Sequence, residues 1–194
     1  MRRGYGILKT WKYILAIPHL IVYSMCSDKI KKDVNEDLAE MNRRCKQEKG
    51  LAYYLVFQQP YRNLFYYRIK KWAPLLSVFL PRYGLFFISS SVESIGGGCF
   101  VLNHPFGSFI NCKSIGNNFT ICQLTTLGNK THGRNDLVPT IGNSVTLGAN
   151  VSIMGGIRIG NNVIVGAGSV VVKDVPNDCV VAGNPAKVIR YLTD

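Results

Sequence analysis

The chain has 194 residues, 47% of them hydrophobic, which suffices for one domain with a sizeable core, with or without an appendage, so it should fold. Its formal charge is +12, and the excess sits early: 16 Lys/Arg stand against 7 Asp/Glu up to Ser94, and 7 against 4 after it. The 6 cysteines form no CxxC pair and no metal-ligand spacing with histidine, which supports neither a zinc site nor a redox motif and predicts reduced, mostly buried thiols in the cytosol.

The first element is an apolar run, Tyr13 to Tyr23, preceded by Arg2, Arg3, Lys9 and Lys12. Eleven residues are too few to span a bilayer as a helix, and Pro18 would kink it. Two readings stay open: residues 1–27 as a peripheral anchor at the inner face of a membrane, or as a helix packed on the protein or in its oligomer. The basic bias suits a polyanion or an anionic membrane surface, and solvated helix faces at least as well; nucleic acid is not expected.

From Asp28 to about Lys49 there is no Gly or Pro, and Val34, Leu38 and Met41 recur at helical spacing, so an amphipathic helix is expected. A second helix is expected over Tyr61 to about Pro74, with Leu64, Phe65, Arg68, Ile69 and Trp72 on related positions. The stretch from Phe79 to Ser90 then turns to short, β-prone chain with Pro81 and Gly84. The change of domain is placed there: residues 1–82 a basic helical segment, residues 83–194 a β domain.

That second part repeats. Aliphatic side chains recur every six residues at Ile95 and Val101, at Ile115, Ile121 and Leu127, and at Ile141, Leu147, Ile153, Ile159, Val165 and Val171. No helix has a period of six. Short strands joined by Gly/Asn corners at that interval describe a parallel β-helix whose coils bury a continuous aliphatic column. Two intervals break the phase, Val101 to Ile115 and Leu127 to Ile141, each 14 residues long. Surplus residues must leave the wall, and functional side chains collect on such protrusions. The first carries His104, the second His132.

The stretch "IGNNVIVGAGSVVVKDVPNDCVVAGNPAKVIR" resembles the C-terminal coils of the hexapeptide-repeat acyltransferases, which form left-handed parallel β-helices and usually trimerise. "SIGGGCFVLNHPFG", "SIGNNFTICQLTTLGN" and "VPTIGNSVTLGANVSIMGGI" are similar to its serine-acetyltransferase-like branch, many members of which O-acetylate sugars of bacterial surface polysaccharides. The resemblance covers roughly residues 60 to 190 and leaves the acceptor open.

It implies acetyl-CoA as cosubstrate, no metal, and His104 as general base in an H-x-x-G turn closed by Gly107. Imidazole, with a pKa of about 6.5, can take the proton of a hydroxyl as it attacks a thioester. The branch's carboxylate partner has no clean match; Glu93 is the one acid in the region. For acetyl-CoA the resemblance points to Gly148 and Ala149, to Ala167 and Gly168, and to Lys173, Lys187 and Arg190 as phosphate partners. Those glycines also suit corners. For the acceptor it leaves Asn103, Gln123, Phe106 and Phe109.

Serine acetyltransferases proper carry an Asp before the catalytic His and an Arg-His pair before the Pro that closes the second loop. This chain has Asn103, Leu137 and Val138 there, and a site without those partners would leave the charges of serine unpaired. A sugar hydroxyl in capsule, exopolysaccharide or lipopolysaccharide synthesis is therefore the expected acceptor. The rivals are a serine O-acetyltransferase and a non-enzymatic β-helical scaffold. A β-helical zinc hydratase would need three interfacial histidines, and the chain has 3 in all, one of them in the apolar run.

Overall fold

A computed structural model describes residues 11–101, 105–131 and 136–192. After a 3-10 turn over Trp11–Ala16 come α1 (Ile17–Ser24), α2 (Asp28–Cys45), α3 (Leu51–Phe57), α4 (Gln59–Ile69) and the short α5 (Ala73–Leu76). In α2 the buried stripe is Val34, Asp37 and Met41, so a carboxylate stands where the apolar spacing pointed to Leu38, which is half-buried. The helix expected over residues 61–74 is interrupted: α4 ends at Ile69, Lys70 takes φ +35, and a 3-10 turn precedes α5. The α3 helix had no counterpart in the spacing argument.

The rest is a three-sided parallel β-helix. Face 1 stacks β1 (Phe86–Ile88), β3 (Ser108–Ile110), β6 (Thr126–Gly128), β9 (Ser152–Met154) and β12 (Val170–Val171). Face 2 stacks β2 (Ser94–Ile95), β4 (Ser114–Ile115), β7 (Thr140–Ile141) and β10 (Arg158–Ile159). Face 3 stacks β5 (Thr120–Ile121), β8 (Thr146–Leu147), β11 (Val163–Val165) and β13 (Cys179–Gly183), and closes with the antiparallel β14 (Ala186–Tyr191). The hexad residues pair in register, Ile95 with Ile115, Ile115 with Ile141, and Ile121 with Leu147, and all are buried.

The first phase break is partly wall. Ile110 of β3 pairs with Ile88 and Leu127 and is 2% exposed, so the chain is back in the wall from Ser108 on. The edge between faces 2 and 3 is held by asparagines. The Asn117 side-chain oxygen accepts from the Gly97 N–H, Asn143 from Asn117, Asn161 from Asn143 and Asn177 from Asn161. Each corner's exposed amide is thereby satisfied by the coil above it, which is why Asn follows Gly in the repeat.

The helices pack on the first coil as part of the same buried cluster. No helix among the described residues is long and apolar enough to cross a membrane. Along residues 11–25, Ala16, His19 and Val22 are buried while Ile14, Ile17, Ile21 and Met25 are exposed, so the run packs on one side and presents apolar side chains on the other. Of the cysteines, Cys99, Cys112 and Cys179 are buried and Cys45 is exposed.

Candidate active site

Phe100 still bridges to face 3, and face 1 resumes at Ser108. His104 and Asn103 lie outside the described residues, as does His132; Pro105 to Ser108 lead into β3. Gly107 sits at φ +67, where a side chain is strained, and a Cβ there would come within 2.7 Å of Leu124 Cδ2. Its N–H donates to the Leu85 carbonyl at 2.6 Å, and the Phe106 carbonyl accepts from the Leu124 N–H at 2.9 Å. The buried Ser108 hydroxyl donates to the Cys122 carbonyl (3.2 Å) and accepts from the Thr125 N–H (3.0 Å). Residues 105–108 are thus tied both to the lead-in of β1 and to the coil above.

Those bonds begin a ladder along the edge between faces 3 and 1. Above Phe106 and Leu124, the Asn150 N–H donates to the Gln123 carbonyl (2.9 Å), and the Gly168 N–H to the Ala149 carbonyl (2.8 Å). The turn that follows His104, Gln123, Gly148, Ala149, Ala167 and Gly168 therefore share one edge. Gly148 has a packing reason to be glycine, since a Cβ would meet the Ala167 backbone nitrogen at 2.7 Å. Gly168 has none of that kind: at φ +71 it is exposed, with nothing within 4 Å of the Cβ position. Ala167 beside it is also exposed, so small side chains leave the backbone open to an extended ligand at this step.

The cationic candidates divide. On β14, Lys187 pairs with Ala182 and Arg190 with Val180, which sets Lys187 near the top of the same edge. Lys173 follows β12 at the corner leading from face 1 to face 2, a different edge. Glu93 is likewise separated: exposed, it precedes β2 on the edge between faces 1 and 2, with its N–H bonded to the Lys113 carbonyl at 2.9 Å. Within one chain the width of face 1 lies between Glu93 and the edge at Phe106 and Gly107. Leu137 and Val138 sit in the second protrusion, where Leu137 is 40% exposed and lies against the corner at Gly156.

Beside the turn the surface is aromatic. Phe87 and Phe109 stack at 4.7 Å with 14° between their planes, and Phe87, Phe109 and Phe106 are 50%, 42% and 41% exposed. Phe87 stands outside the hexad pattern because β1 precedes the first clear hexad. The signal was there in "FFI", where period-two alternation turns Phe86 inward and Phe87 out.

The model of the bacterial transferase hexapeptide family (six repeats) matches residues 139–173. The solved serine acetyltransferase of Neisseria gonorrhoeae superimposes with a TM-score of 0.73 at 30% identity, covering 87% of this chain and 67% of that one. Serine acetyltransferase 2 of Arabidopsis thaliana is 46% identical over 101 residues, 52% of this chain and 31% of the relative. The Escherichia coli K12 protein WcaB, described as a putative colanic acid biosynthesis acetyltransferase, is 46% identical over 93 residues, 47% of this chain and 57% of the relative. The match thus spans less than two thirds of either curated relative. On the repeat, the three-sided wall and these likenesses, the chain belongs to the hexapeptide-repeat acyltransferases, left-handed β-helical proteins, in their serine-acetyltransferase-like branch.

Proposed function

We propose that the protein transfers an acetyl group from acetyl-CoA to a sugar hydroxyl, with His104 as general base, in the synthesis of a surface polysaccharide. The observation that carries this reading is the single edge that collects the turn after His104, Gln123, and the small residues Gly148, Ala149, Ala167 and Gly168. A neutral imidazole takes the proton of the acceptor hydroxyl while its oxygen attacks the thioester carbonyl. The tetrahedral intermediate collapses with loss of the CoA thiolate, which receives that proton from the imidazolium. No covalent enzyme intermediate is needed.

The open backbone at Ala167 and Gly168 suits the extended pantetheine arm of acetyl-CoA, with Lys187 and Arg190 toward its phosphates; Lys173, on the other edge, serves only from a neighbouring subunit. A homotrimer supplies such neighbours, and Glu93 reaches an imidazole only across the same kind of interface. For the acceptor, Phe106 and the Phe87–Phe109 stack give a sugar ring an apolar platform, and Gln123 is the neutral hydrogen-bonding group on that edge. WcaB's description points the same way. Serine acetylation is the second reading, favoured by the likeness to the gonococcal enzyme; Leu137 and Val138 stand against it.

The deciding experiment measures CoA release from acetyl-CoA with glycosides, isolated surface polysaccharide and L-serine. Turnover with a carbohydrate, background with serine and loss of about a hundredfold or more in kcat for His104→Ala is expected. Serine-dependent turnover without any carbohydrate response reverses the choice of acceptor, and near-normal turnover by His104→Ala removes the base.

A further inference from the structure

A cavity of about 360 Å³ lies between α4 and β1, in the size range of about 300–1,000 Å³ usual for small-ligand sites. Its walls include Tyr66, Tyr67, Tyr83 and Phe87, and its polar lining includes Lys70 and Arg82. Among the described residues no Asp or Glu lines it. The Lys70 ammonium stands 5.3 Å from the Tyr67 ring and the Arg82 guanidinium 5.6 Å from the Tyr66 ring. Among the described residues neither cation has a carboxylate partner. Lys70 is also held at φ +35, a strained conformation for a residue with a side chain.

We propose that this cavity is a second subsite of the acceptor, taking a sugar unit that carries an anionic group, a carboxylate or a phosphate. The inference rests on the sugar reading above. Two cations facing aromatic walls with no competing acid favour an anion, and Arg82 can bind a carboxylate or phosphate with two parallel hydrogen bonds. The aromatic faces suit the C–H faces of a pyranose ring. Phe87 belongs to both places: it lines the cavity and stacks on Phe109. Leu85, two residues before it, accepts the Gly107 N–H, so the cavity rim is bonded to the turn that carries His104. A glycan can therefore lie with one unit in the cavity and another against the turn.

The test is calorimetric titration of the full chain, without acetyl-CoA, with glucuronate, glucose 1-phosphate, inorganic phosphate and glucose. Glucuronate or glucose 1-phosphate should bind at millimolar concentration or better while glucose does not. Preference for glucuronate assigns the anion to an acidic residue of the glycan, and preference for the phosphate ester to a phosphorylated precursor. Arg82→Gln and Lys70→Gln should each weaken binding about tenfold. Gly84→Trp keeps both cations and fills the cavity from a position whose Cβ meets nothing within 4 Å, and it should abolish binding with the melting temperature unchanged. Equal binding of glucose, phosphate binding as tight as that of its glucose ester, no binding of either sugar anion, or binding unaffected in all three variants overturns the subsite. Acetyl-CoA affinity is measured on the same proteins: if it is normal while the sugar acids fail, the subsite alone falls. Sugar-acid binding here by a chain that transfers no acetyl group instead removes the acetyltransferase reading.

Discussion

Arg68 of α4 and Asp37 of α2 form a fully buried, two-bonded pair, Nε to Oδ2 at 2.9 Å and Nη2 to Oδ1 at 3.0 Å. The same guanidinium donates to the carbonyls of Ile95 (2.9 Å) and Gly96 (2.8 Å), and Asp37 accepts the Cys99 N–H at 2.9 Å. Burial pushes the Asp37 carboxyl up to about 6, against the pull of Arg68 and the Cys99 amide, which leaves it ionised at neutral pH. Burial also works against the charge of Arg68, but Asp37 together with Cys99 and Tyr61 more than offsets it, and the guanidinium is held protonated above its ordinary range. The pair ties two helices to the first coil. Arg68 Nη1 also lies 3.4 Å from the partly exposed Asp33, so Asp37→Ala leaves the guanidinium one acid, whereas Arg68→Met strands the buried Asp37 charge; Arg68→Met should cost about 3–5 kcal/mol in urea unfolding and Asp37→Ala less. A loss under 1 kcal/mol in both variants would show that the clamp is not what holds the helices.

A second buried group gives a pH signature. His19 Nε2 lies 2.8 Å from the Tyr66 hydroxyl, which donates to the Leu80 carbonyl at 2.5 Å, so the neutral imidazole donates from Nε2. Burial lowers the His19 pKa to about 4. Unfolded, the ring titrates near 6.5, so as pH falls below that the unfolded chain gains a proton the folded one refuses. Stability is lost progressively between about pH 6.5 and 4, on the order of 2–3 kcal/mol in all. Asp37, with its carboxyl raised to about 6, acts with the opposite sign over nearly the same window. The quantity to read is therefore the difference between wild type and His19→Gln. That difference should shrink on acidification; a constant one refutes the assignment.

What the sequence disclosed follows from what repeats. Hexads such as Ile141, Leu147 and Ile153 each land on a face because the period alone dictates it, and asparagine after glycine marks a corner wherever the chain lies. Features resting on pairs distant in sequence left no periodic trace. Asp37 reads as a solvated helix position until Arg68, 31 residues on, is known to face it. Ile110 was hidden because the turn before it shifts the phase. The edge shared by Phe106, Gln123, Ala149 and Gly168 could be predicted only once each surplus was assigned to its corner, and that same assignment moves Glu93 and Lys173 off it.

The outward side of residues 11–25 tests the membrane reading. Ile17 and Ile21 are 50% and 56% exposed, whereas Ala16, His19 and Val22 carry the packing. Ile17→Ser with Ile21→Ser should leave the melting temperature within a few degrees and reduce cosedimentation with anionic vesicles severalfold. Wild-type binding should weaken as salt rises. Unaltered vesicle binding by the variant removes the anchor, and a changed oligomeric state assigns the face to subunit contact instead.

The edge between faces 3 and 1 makes a prediction that separates packing from ligand contact at adjacent positions. Gly148 and Ala167 both resemble cofactor-binding residues, yet a Cβ on Gly148 would meet the Ala167 backbone at 2.7 Å, while Ala167 itself is exposed. Coils are spaced at about 4.8 Å by their hydrogen bonds, so crowding at Gly148 must push two coils apart. Gly148→Val should therefore destabilise the fold by about 1–3 kcal/mol, as overpacking does. Ala167→Phe adds bulk on the outside, where the backbone ladder from Gly168 to Ala149 is undisturbed. It should leave unfolding unchanged and weaken acetyl-CoA binding at least tenfold, since the path proposed for the pantetheine arm runs against that step. Acetyl-CoA affinity unaffected by Ala167→Phe would move the cosubstrate off this edge, while a fold unaffected by Gly148→Val would show that the glycine is there for something other than stacking.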